Sequence, residues 1–477
     1  MEHLLITIGV IIIVALSCTA AGHALLQKRD SRSALGWMGL SLTLPLVGPF
    51  FYWCLGINRI SRRARIWQKS GRRISGIEIY PPSQEERPVH LPTGAAHLTD
   101  LKTLADRVVK TRLRGGNQVT PLVNGEEAYP AMLEAIGRAR RNINLSSYIF
   151  EADEIGTVFV ERLKEAAGRG VEVRVILDAM GEKYSRRSPR TTLAGSAVYL
   201  KHFLPLRHGA YINLRNHRKL LIVDGREAFT GGMNIRDRHL VSRTKPATAV
   251  QDMHFHLQGP VVSDLQRAFL EDWHFVAGEP VRDLSLFFPD IEAQGNSIAR
   301  CISDGPDKEF RKLEQIFLGA ISCASRSIHI MTPYFVPDRT MVSALITASL
   351  RGVDVCILLP DRSNIPVIHW ATRALLDELL TNGIRFYYQP APFVHTKLFL
   401  VDDICTLIGS ANFDARSLHL NFELNVSVFD STFASRIRQH FDTAITGSRS
   451  ITISELKSRT LPVQLRDNFA RLFSPYL

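Results

Sequence analysis

Two copies of one chemical pattern stand out in the chain: His217-Arg218-Lys219-Leu220-Leu221-Ile222-Val223-Asp224 and His395-Thr396-Lys397-Leu398-Phe399-Leu400-Val401-Asp402. With 16 His in 477 residues and this Lys and Asp content, one H-x-K-x4-D is expected by chance only about 0.02 times. Residues two apart on an extended strand point to the same face, so each imidazole should converge with its ammonium. The apolar run after each lysine carries a strand into a core, and Asp224-Gly225 or Asp402-Asp403 supplies a hairpin turn. The return strands end at Gly231-Gly232-Met233-Asn234 and Gly409-Ser410-Ala411-Asn412. Their small residues let a ligand approach the backbone, and their amides and the Ser410 hydroxyl can donate to an anion.

Two facing sets of this kind offer imidazoles, ammonium groups and neutral donors, with no carboxylate cluster of metal-ligand character. Such a site suits phosphodiester chemistry without a metal or other cofactor. One histidine attacks phosphorus, the other protonates the leaving alcohol and deprotonates the incoming one, and the lysines neutralise the non-bridging oxygens. The imidazoles need orienting carboxylates. Asp252 and Glu423, each downstream of the histidine of its own half, are the candidates.

The elements that must position these groups repeat as well. Arg169-Gly170-Val171-Glu172-Val173-Arg174-Val175-Ile176-Leu177 returns as Arg351-Gly352-Val353-Asp354-Val355-Cys356-Ile357-Leu358-Leu359. A repeat this long means a duplicated domain. Alternation of strand and helix signals, as in 143–149, 158–167 and 171–177, predicts an α/β fold with helices covering a mixed sheet. The expected order is a transmembrane hairpin over 1–60, a basic juxtamembrane segment and linker over 61–115, a first domain over 116–295 and a second over 296–477. Pro81, Pro82, Pro88 and Pro92 mark the linker.

Two stretches free of Asp, Glu, Lys and Arg, Leu4–Gln27 and Ser33–Asn58, each exceed the ~20 residues that cross a hydrocarbon core. Met1-Glu2-His3 lacks the positive start of a signal peptide. Pro45, Gly48 and Pro49 would interrupt the second stretch, so a re-entrant hairpin is the alternative to two spans. Arg59, Arg62, Arg63, Arg65, Lys69, Arg72 and Arg73 follow, which keeps the body on the cytoplasmic side. Residues 1–75 carry 10 Lys+Arg against 2 Asp+Glu, most of the net charge of +12. The basic excess therefore points to an anionic membrane surface and away from nucleic acid. The six cysteines form no CxxC pair and read as reduced and buried.

Weaker features have bland readings. His239, His254, His256, His274, His329 and His369 match no motif and read as structural or surface residues. Tyr148 and Tyr334 follow apolar strands and could line the site, with core packing the default. The Lys183, Arg186, Arg187, Arg190 cluster suits phosphate head groups or an ordinary solvated loop. Residues 463–473 read as an amphipathic helix, docked to the body in preference to a membrane.

Both H-x-K-x4-D motifs, the following Gly-Gly-x-Asn and Gly-Ser-x-Asn, Asn412-Phe413-Asp414-Ala415-Arg416-Ser417, Leu122-Val123-Asn124-Gly125-Glu126, Arg471-Leu472-Phe473-Ser474-Pro475 and the N-terminal apolar runs carry a resemblance. Over essentially its whole length the chain resembles the phospholipase D superfamily and, within it, the bacterial cardiolipin synthases. The resemblance implies two tandem domains in pseudo-two-fold arrangement, the site between them, and a covalent phosphatidyl-histidine. It implies a site of His217, Lys219, Asp224, His395, Lys397 and Asp402, supported by Asn234, Asp252, Ser410, Asn412 and Glu423. The motif aspartates would be more structural than catalytic, and His217 would be the nucleophile. The implied reaction joins two phosphatidylglycerols into cardiolipin and glycerol at the inner membrane of a bacterium. A hydrolytic phospholipase D or another phosphatidyltransferase is the alternative, ahead of a nuclease-type phosphodiesterase or a catalytically dead scaffold. Gly232 against Ser410, and Asp252 against Glu423, are the places where the halves diverge.

Overall fold

A computed structural model describes residues 2–28, 31–56, 89–109, 111–203, 214–278, 283–305, 311–474 and 477. The prolines at 81, 82 and 88 and the basic run from Arg59 to Arg73 lie outside the described residues. The chain forms two compact units, Met1–Gln68 and Lys69–Leu477.

In the first unit α1 (Glu2–Gln27) is long and apolar enough to cross a membrane, and it bares its leucines and isoleucines. The second apolar run does not continue as one helix. It breaks into α2 (Ser31–Thr43) and α3 (Val47–Phe51). Thirteen residues rise only ~20 Å, short of a ~30 Å hydrocarbon core. The cause is local. Pro49 has no N–H to give, and its ring opposes the carbonyl four residues back. The Pro45 carbonyl so released accepts from Ser17 Oγ on α1 at 2.9 Å. Ala20, Ala24 and Tyr52 pack together between these helices.

Among the described residues, the second unit is built on one large mixed sheet with two small two-stranded sheets. Its first half supplies β1 (Arg114–Val123), β2 (Asn142–Ser147), β3 (Glu172–Asp178), β4 (Tyr199–Phe203), β5 (Arg215–Asn216), β6 (Leu220–Val223), β7 (Glu227–Gly231), β8 (Val250–Gln251) and β9 (Met253–Gln258). The second supplies β10 (Ser297–Asp304), β11 (Ser327–Met331), β12 (Phe335–Val336), β13 (Asp354–Pro360), β14 (Arg385–Gln389), β15 (Phe393–Val394), β16 (Leu398–Val401), β17 (Cys405–Gly409), β18 (Phe413–Asp414), β19 (Asn421–Phe429) and β20 (Arg449–Ser450). The main path runs β20-β14-β13-β11-β16-β17-β19-β10-β1-β9-β7-β6-β2-β3-β4. Read outward from the antiparallel β10–β1 pair, the order is the same in both directions until β20 is added. This is the expected pseudo-two-fold, with its axis between β10 and β1.

Within each half the outer strands are parallel, as β2-β3-β4 and β11-β13-β14 are. Their crossovers are helices, Glu154–Gly168 in the first half and Arg339–Leu350 in the second. The inner strands β6, β7 and β9 are antiparallel, and so are β16, β17 and β19. Each half has its own core. Phe159, Val173, Val175 and Leu221 lie in one, and Phe317, Val355, Ile357 and Phe399 in the other. Residues 93–109 and 111–113 join the second core. Leu98, Leu101 and Ala105 on and before the helix Thr99–Val108 pack with Leu313, Phe317 and Ile321.

The hairpins at the motif aspartates are as expected. Asp224 and Gly225 both have positive φ, and so do Asp402 and Asp403, the pattern of a type I′ turn. Cys301, Cys356 and Cys405 are buried free thiols, whereas Cys18 on α1 is exposed, because an apolar helix without a protein partner on every side cannot bury it.

Candidate active site

Neither His-x-Lys lies on the strand it was expected to occupy, since β6 begins at Leu220 and β16 at Leu398. Each motif enters its strand from a short extended segment that pairs with the opposite half. β5 runs parallel to β19, Arg215 beside Asn421, and the His217 amide donates to the Phe422 carbonyl at 2.9 Å. β15 runs parallel to β8, Phe393 beside Val250, and the His395 amide donates to the Gln251 carbonyl at 2.8 Å. The residues directly after those carbonyls are Glu423 and Asp252.

The orienting carboxylates are therefore exchanged between halves. His217 Nδ1 lies 3.1 Å from Glu423 Oε1, and His395 Nδ1 lies 2.8 Å from Asp252 Oδ2. Each of these carboxylates meets the histidine of the opposite half and not, as expected, that of its own. A carboxylate on Nδ1 fixes the tautomer with Nδ1–H as donor and leaves the Nε2 lone pair free. All four side chains are buried or nearly so. Burial, and then the lysine of its own motif, lowers the pKa of each imidazole. Both histidines are thus uncharged near neutrality.

The lysines are buried beside them. Lys219 Nζ donates to the His217 carbonyl at 2.6 Å and sits over the Tyr148 ring. Lys397 Nζ donates to the His395 carbonyl and lies 3.1 Å from His395 Nδ1. Burial draws the Lys219 ammonium down to about 7 and that of Lys397 to about 8.

The two carboxylates have unequal surroundings. Glu423 accepts from Ser410 Oγ at 2.5 Å, Ser417 Oγ at 2.6 Å and Asn421 Nδ2 at 3.0 Å, besides His217. Burial opposes its ionisation, but the His217 contact, Lys219 and Ser410 hold its pKa below the ordinary range. Asp252 accepts from His395 and from the Met253 amide, and burial pushes its pKa up. The sequence divergence has a steric logic here. A Cβ on Gly232 would sit 2.5 Å from Asp252 Oδ1, so the aspartate fills the space that Ser410 uses in the other half. The Ser410 hydroxyl is committed to Glu423, and the Ser410 amide to the Leu424 carbonyl at 3.1 Å. Neither is the anion donor expected.

The motif aspartates stand at the far ends of β6 and β16. Asp224 accepts from the amides of Arg140, Arg141 and Asn142, and Asp402 from those of Ser325, Arg326 and Ser327. Both tie a hairpin to the start of the neighbouring strand. Seven residues of extended chain put them roughly 20 Å from their histidines. Asn234 Oδ1 accepts from the Ile149 amide at 3.1 Å, and the Asn412 amide donates to Ser417 Oγ at 2.9 Å. Both asparagines hold the loops around the site.

Several participants carried too little signal to be singled out. Ser417 closes the Asn412–Ser417 motif and Asn421 follows it, but only folding turns them onto Glu423. Asn124 Oδ1 accepts from the Asp252 amide at 3.0 Å, fixing that segment from β1's end. Arg218, inside the first motif, reaches Asp272 Oδ1 at 2.5 Å, Ser303 Oγ at 2.8 Å and the Glu423 carbonyl at 3.2 Å. It ties the two halves together behind the site. Tyr148 and Tyr334 reach the histidines, their rings meeting His217 at 5.1 Å and His395 at 6.3 Å edge-on, and Tyr334 also packs against the cluster of Val336, Ile368 and Ala371. His239 and His254 are buried nearby, His239 on the Val250 carbonyl, and burial draws them to about 3 and about 4. Lys183, Arg186, Arg187 and Arg190 are exposed on the loop after β3. Among the described residues no three His, Cys, Asp or Glu side chains gather as a metal site.

Comparison with known proteins follows the same outline. The family model described as "Cardiolipin synthase, PLD-like domain" matches residues 132–273 and again 317–445, one match in each half. A cardiolipin synthase of Geobacillus sp. (strain WCH70) is 31% identical, covering 97% of this chain and 93% of that protein. The major cardiolipin synthase of Bacillus subtilis is also 31% identical, covering 94% and 95%. A phosphatidylserine synthase from Haemophilus influenzae shares the fold, with TM-score 0.61 at 14% identity over 79% of this chain and all of the other. With two matched domains, two histidine-carboxylate pairs exchanged between them and relatives similar from end to end, the chain belongs to the cardiolipin synthase family of phospholipase D-like proteins.

Proposed function

We propose that the protein is a membrane phosphatidyltransferase that joins two phosphatidylglycerol molecules into cardiolipin and releases glycerol. The carrying observation is the pair of buried histidines, each held through Nδ1 by a carboxylate of the other half, with a buried lysine beside each. His217 Nε2 attacks phosphorus, forming an N–P bond as the bond to the glycerol oxygen breaks. His395, protonated once the anionic phosphodiester is bound, gives its proton to that oxygen. The glycerol leaves, and His395 takes the proton from the terminal hydroxyl of a second phosphatidylglycerol. That oxygen attacks phosphorus, the N–P bond breaks, and cardiolipin forms. Lys219 and Lys397 offset charge on the non-bridging oxygens. Asp224 and Asp402 act through the fold alone, and Asn234, Ser410 and Asn412 by holding loops and carboxylate.

His217 is assigned as nucleophile because its partner Glu423 is the more firmly ionised carboxylate. The two domains, 116–295 and 296–477, each contribute one His-Lys pair and the carboxylate that orients the other's histidine. The body works on the cytoplasmic face of a bacterial membrane, where the basic residues that follow the apolar runs hold it. The exchange replaces one phosphodiester with another of similar energy, so concentrations set its direction. Radiolabelled phosphatidylglycerol in vesicles should yield cardiolipin, and added glycerol should reverse it. Phosphatidic acid as the sole product would make the protein a hydrolase.

A further inference from the structure

The helix Leu461–Arg471 near the C-terminus is docked to the body, yet it leaves an apolar face uncovered. Its inner side is anchored by Asp467, fully buried and bound by Arg373, Arg459 and Arg466 at 2.7–2.9 Å. Ala470 packs on Val336, Ile368 and Ala371. Outward stand Leu461, Leu465, Phe469 and Leu472, exposed by 67, 62, 62 and 70%. They are spaced four, four and three residues apart, one stripe of a helix. The Phe473 ring meets Phe469 edge-on at 5.3 Å and extends the stripe. Four large apolar residues in a row make a patch, whereas single exposed ones are ordinary.

The helix also adjoins the site. Past it, the Leu477 carbonyl accepts from the Arg416 amide at 3.0 Å, and Leu477 joins the cluster that includes Tyr334. The Tyr334 ring meets His395.

The geometry points to this stripe as the surface that seats the catalytic body on an anionic lipid bilayer, with the side chains of Leu461, Leu465, Phe469 and Leu472 among the upper acyl chains. Charge favours lipid over a second copy of the chain. Asp467 is the sole acid between 461 and 473 and is neutralised inward, while Arg466, partly exposed over Trp370, and exposed Arg471 border the stripe. An apolar stripe with an arginine border suits the boundary between acyl chains and anionic headgroups. α1 on the same chain keeps a bilayer at high effective concentration, so a modest stripe suffices. The purpose, presenting lipid to the site beside Tyr334, rests on the lipid-substrate reading above. The surface itself does not.

The test uses the full chain in vesicles of phosphatidylglycerol and phosphatidylcholine, with benzoylphenylalanine placed singly at 465, 469, 472 and 161. Irradiation should attach lipid at 465, 469 and 472 at least five times more than at 161, where Glu161 is exposed on the helix Glu154–Gly168 of the other half. Protein–protein products at the first three positions, between copies or to α1, would overturn the inference, as would equal labelling at 161. In the triple variant Leu465→Ser, Phe469→Ser, Leu472→Ser, the ratio of activity on bilayer lipid to activity on dispersed short-chain phosphatidylglycerol should fall at least fivefold. Equal losses on both would reduce the stripe to a folding element and sink the proposal. Crosslinking needs no turnover, so phosphatidic acid as the product would defeat the synthase reading and leave this one standing.

Discussion

The two half-sites are built from one repeated plan and finished differently. His217 leans on Glu423, which three further side-chain donors from its own half surround. His395 leans on Asp252, one methylene shorter, whose further donor is the Met253 backbone amide and whose space depends on a glycine at 232. The first carboxylate is held ionised, and burial pushes the second up. A site that must both attack phosphorus and shuttle a proton gains from such inequality. Strong ionic support keeps one imidazole a nucleophile, and weaker support lets the other exchange its proton.

Removing either imidazole is the harshest way to test the comparison. His217→Ala and His395→Ala should each lose about 10⁴-fold or more in turnover, because nucleophile and proton carrier act as a unit. The difference between them should show in trapping. Acid-quenched enzyme should carry the phosphoryl adduct on His217, and an adduct on His395 would invert the assignment. The carboxylates should separate next. Glu423→Gln should cost about 10³-fold in kcat and Asp252→Asn about 30-fold, in line with the range seen when an imidazole loses its orienting group. Equal losses would end the claim that the halves are specialised.

Gly232→Ser should push Asp252 off His395 and lose about 100-fold, since the new Cβ meets both carboxylate oxygens. Adding Asp252→Glu rebuilds the pairing used by Ser410 and Glu423, so the double variant should recover at least tenfold over Gly232→Ser in the same assay. No recovery would show that the two differences between halves are uncoupled.

The pH profile gives a smaller effect. Burial lowers Lys219 to about 7 and Lys397 to about 8, so both lose their protons as pH rises through that window. Charge neutralisation at the phosphate then weakens, and kcat/KM should fall about tenfold between pH 7 and 9. Lys219→Arg, which cannot deprotonate, should move the alkaline limb upward by about one unit, and an unmoved limb would exclude Lys219 as its source. Chelators should have the least effect. Incubation with EDTA should change the rate by less than about twofold, and a loss restored only by a divalent ion would break the two-lysine account.

Much of the site was legible in the sequence, because a pattern of low chance frequency occurred twice in step with buried strands. His217, Lys219, His395, Lys397, Asp252 and Glu423 could all be named from spacing. Their partners could not. Parallel pairing of β5 with β19 and of β15 with β8 involves two residues per strand, too short to leave a periodic signal. Ser417, Asn421 and Arg218 read as ordinary polar residues until β19 and β10 are laid beside the first motif. The second apolar run shows the opposite case. Its composition allowed a span, but Pro45 and Pro49 acted within a few residues and broke the helix.

By itself the sequence determined the α/β halves, the hairpin turns at the motif aspartates, the apolar N-terminal helix and the two His-x-Lys pairs proposed to react. These follow from local periodicity, turn chemistry and residue type, which act over a few positions of chain. Only the tertiary structure decided which carboxylate serves which histidine, that the Ser410 hydroxyl supports Glu423, that Tyr148 and Tyr334 line the site, and that the last helix keeps a bare apolar stripe. Each depends on groups from different elements meeting across the pseudo-two-fold axis, between strands of one half or on a distant helix. Those meetings are fixed by the burial of whole sheet faces and by the hydrogen bonds that buried polar groups must find.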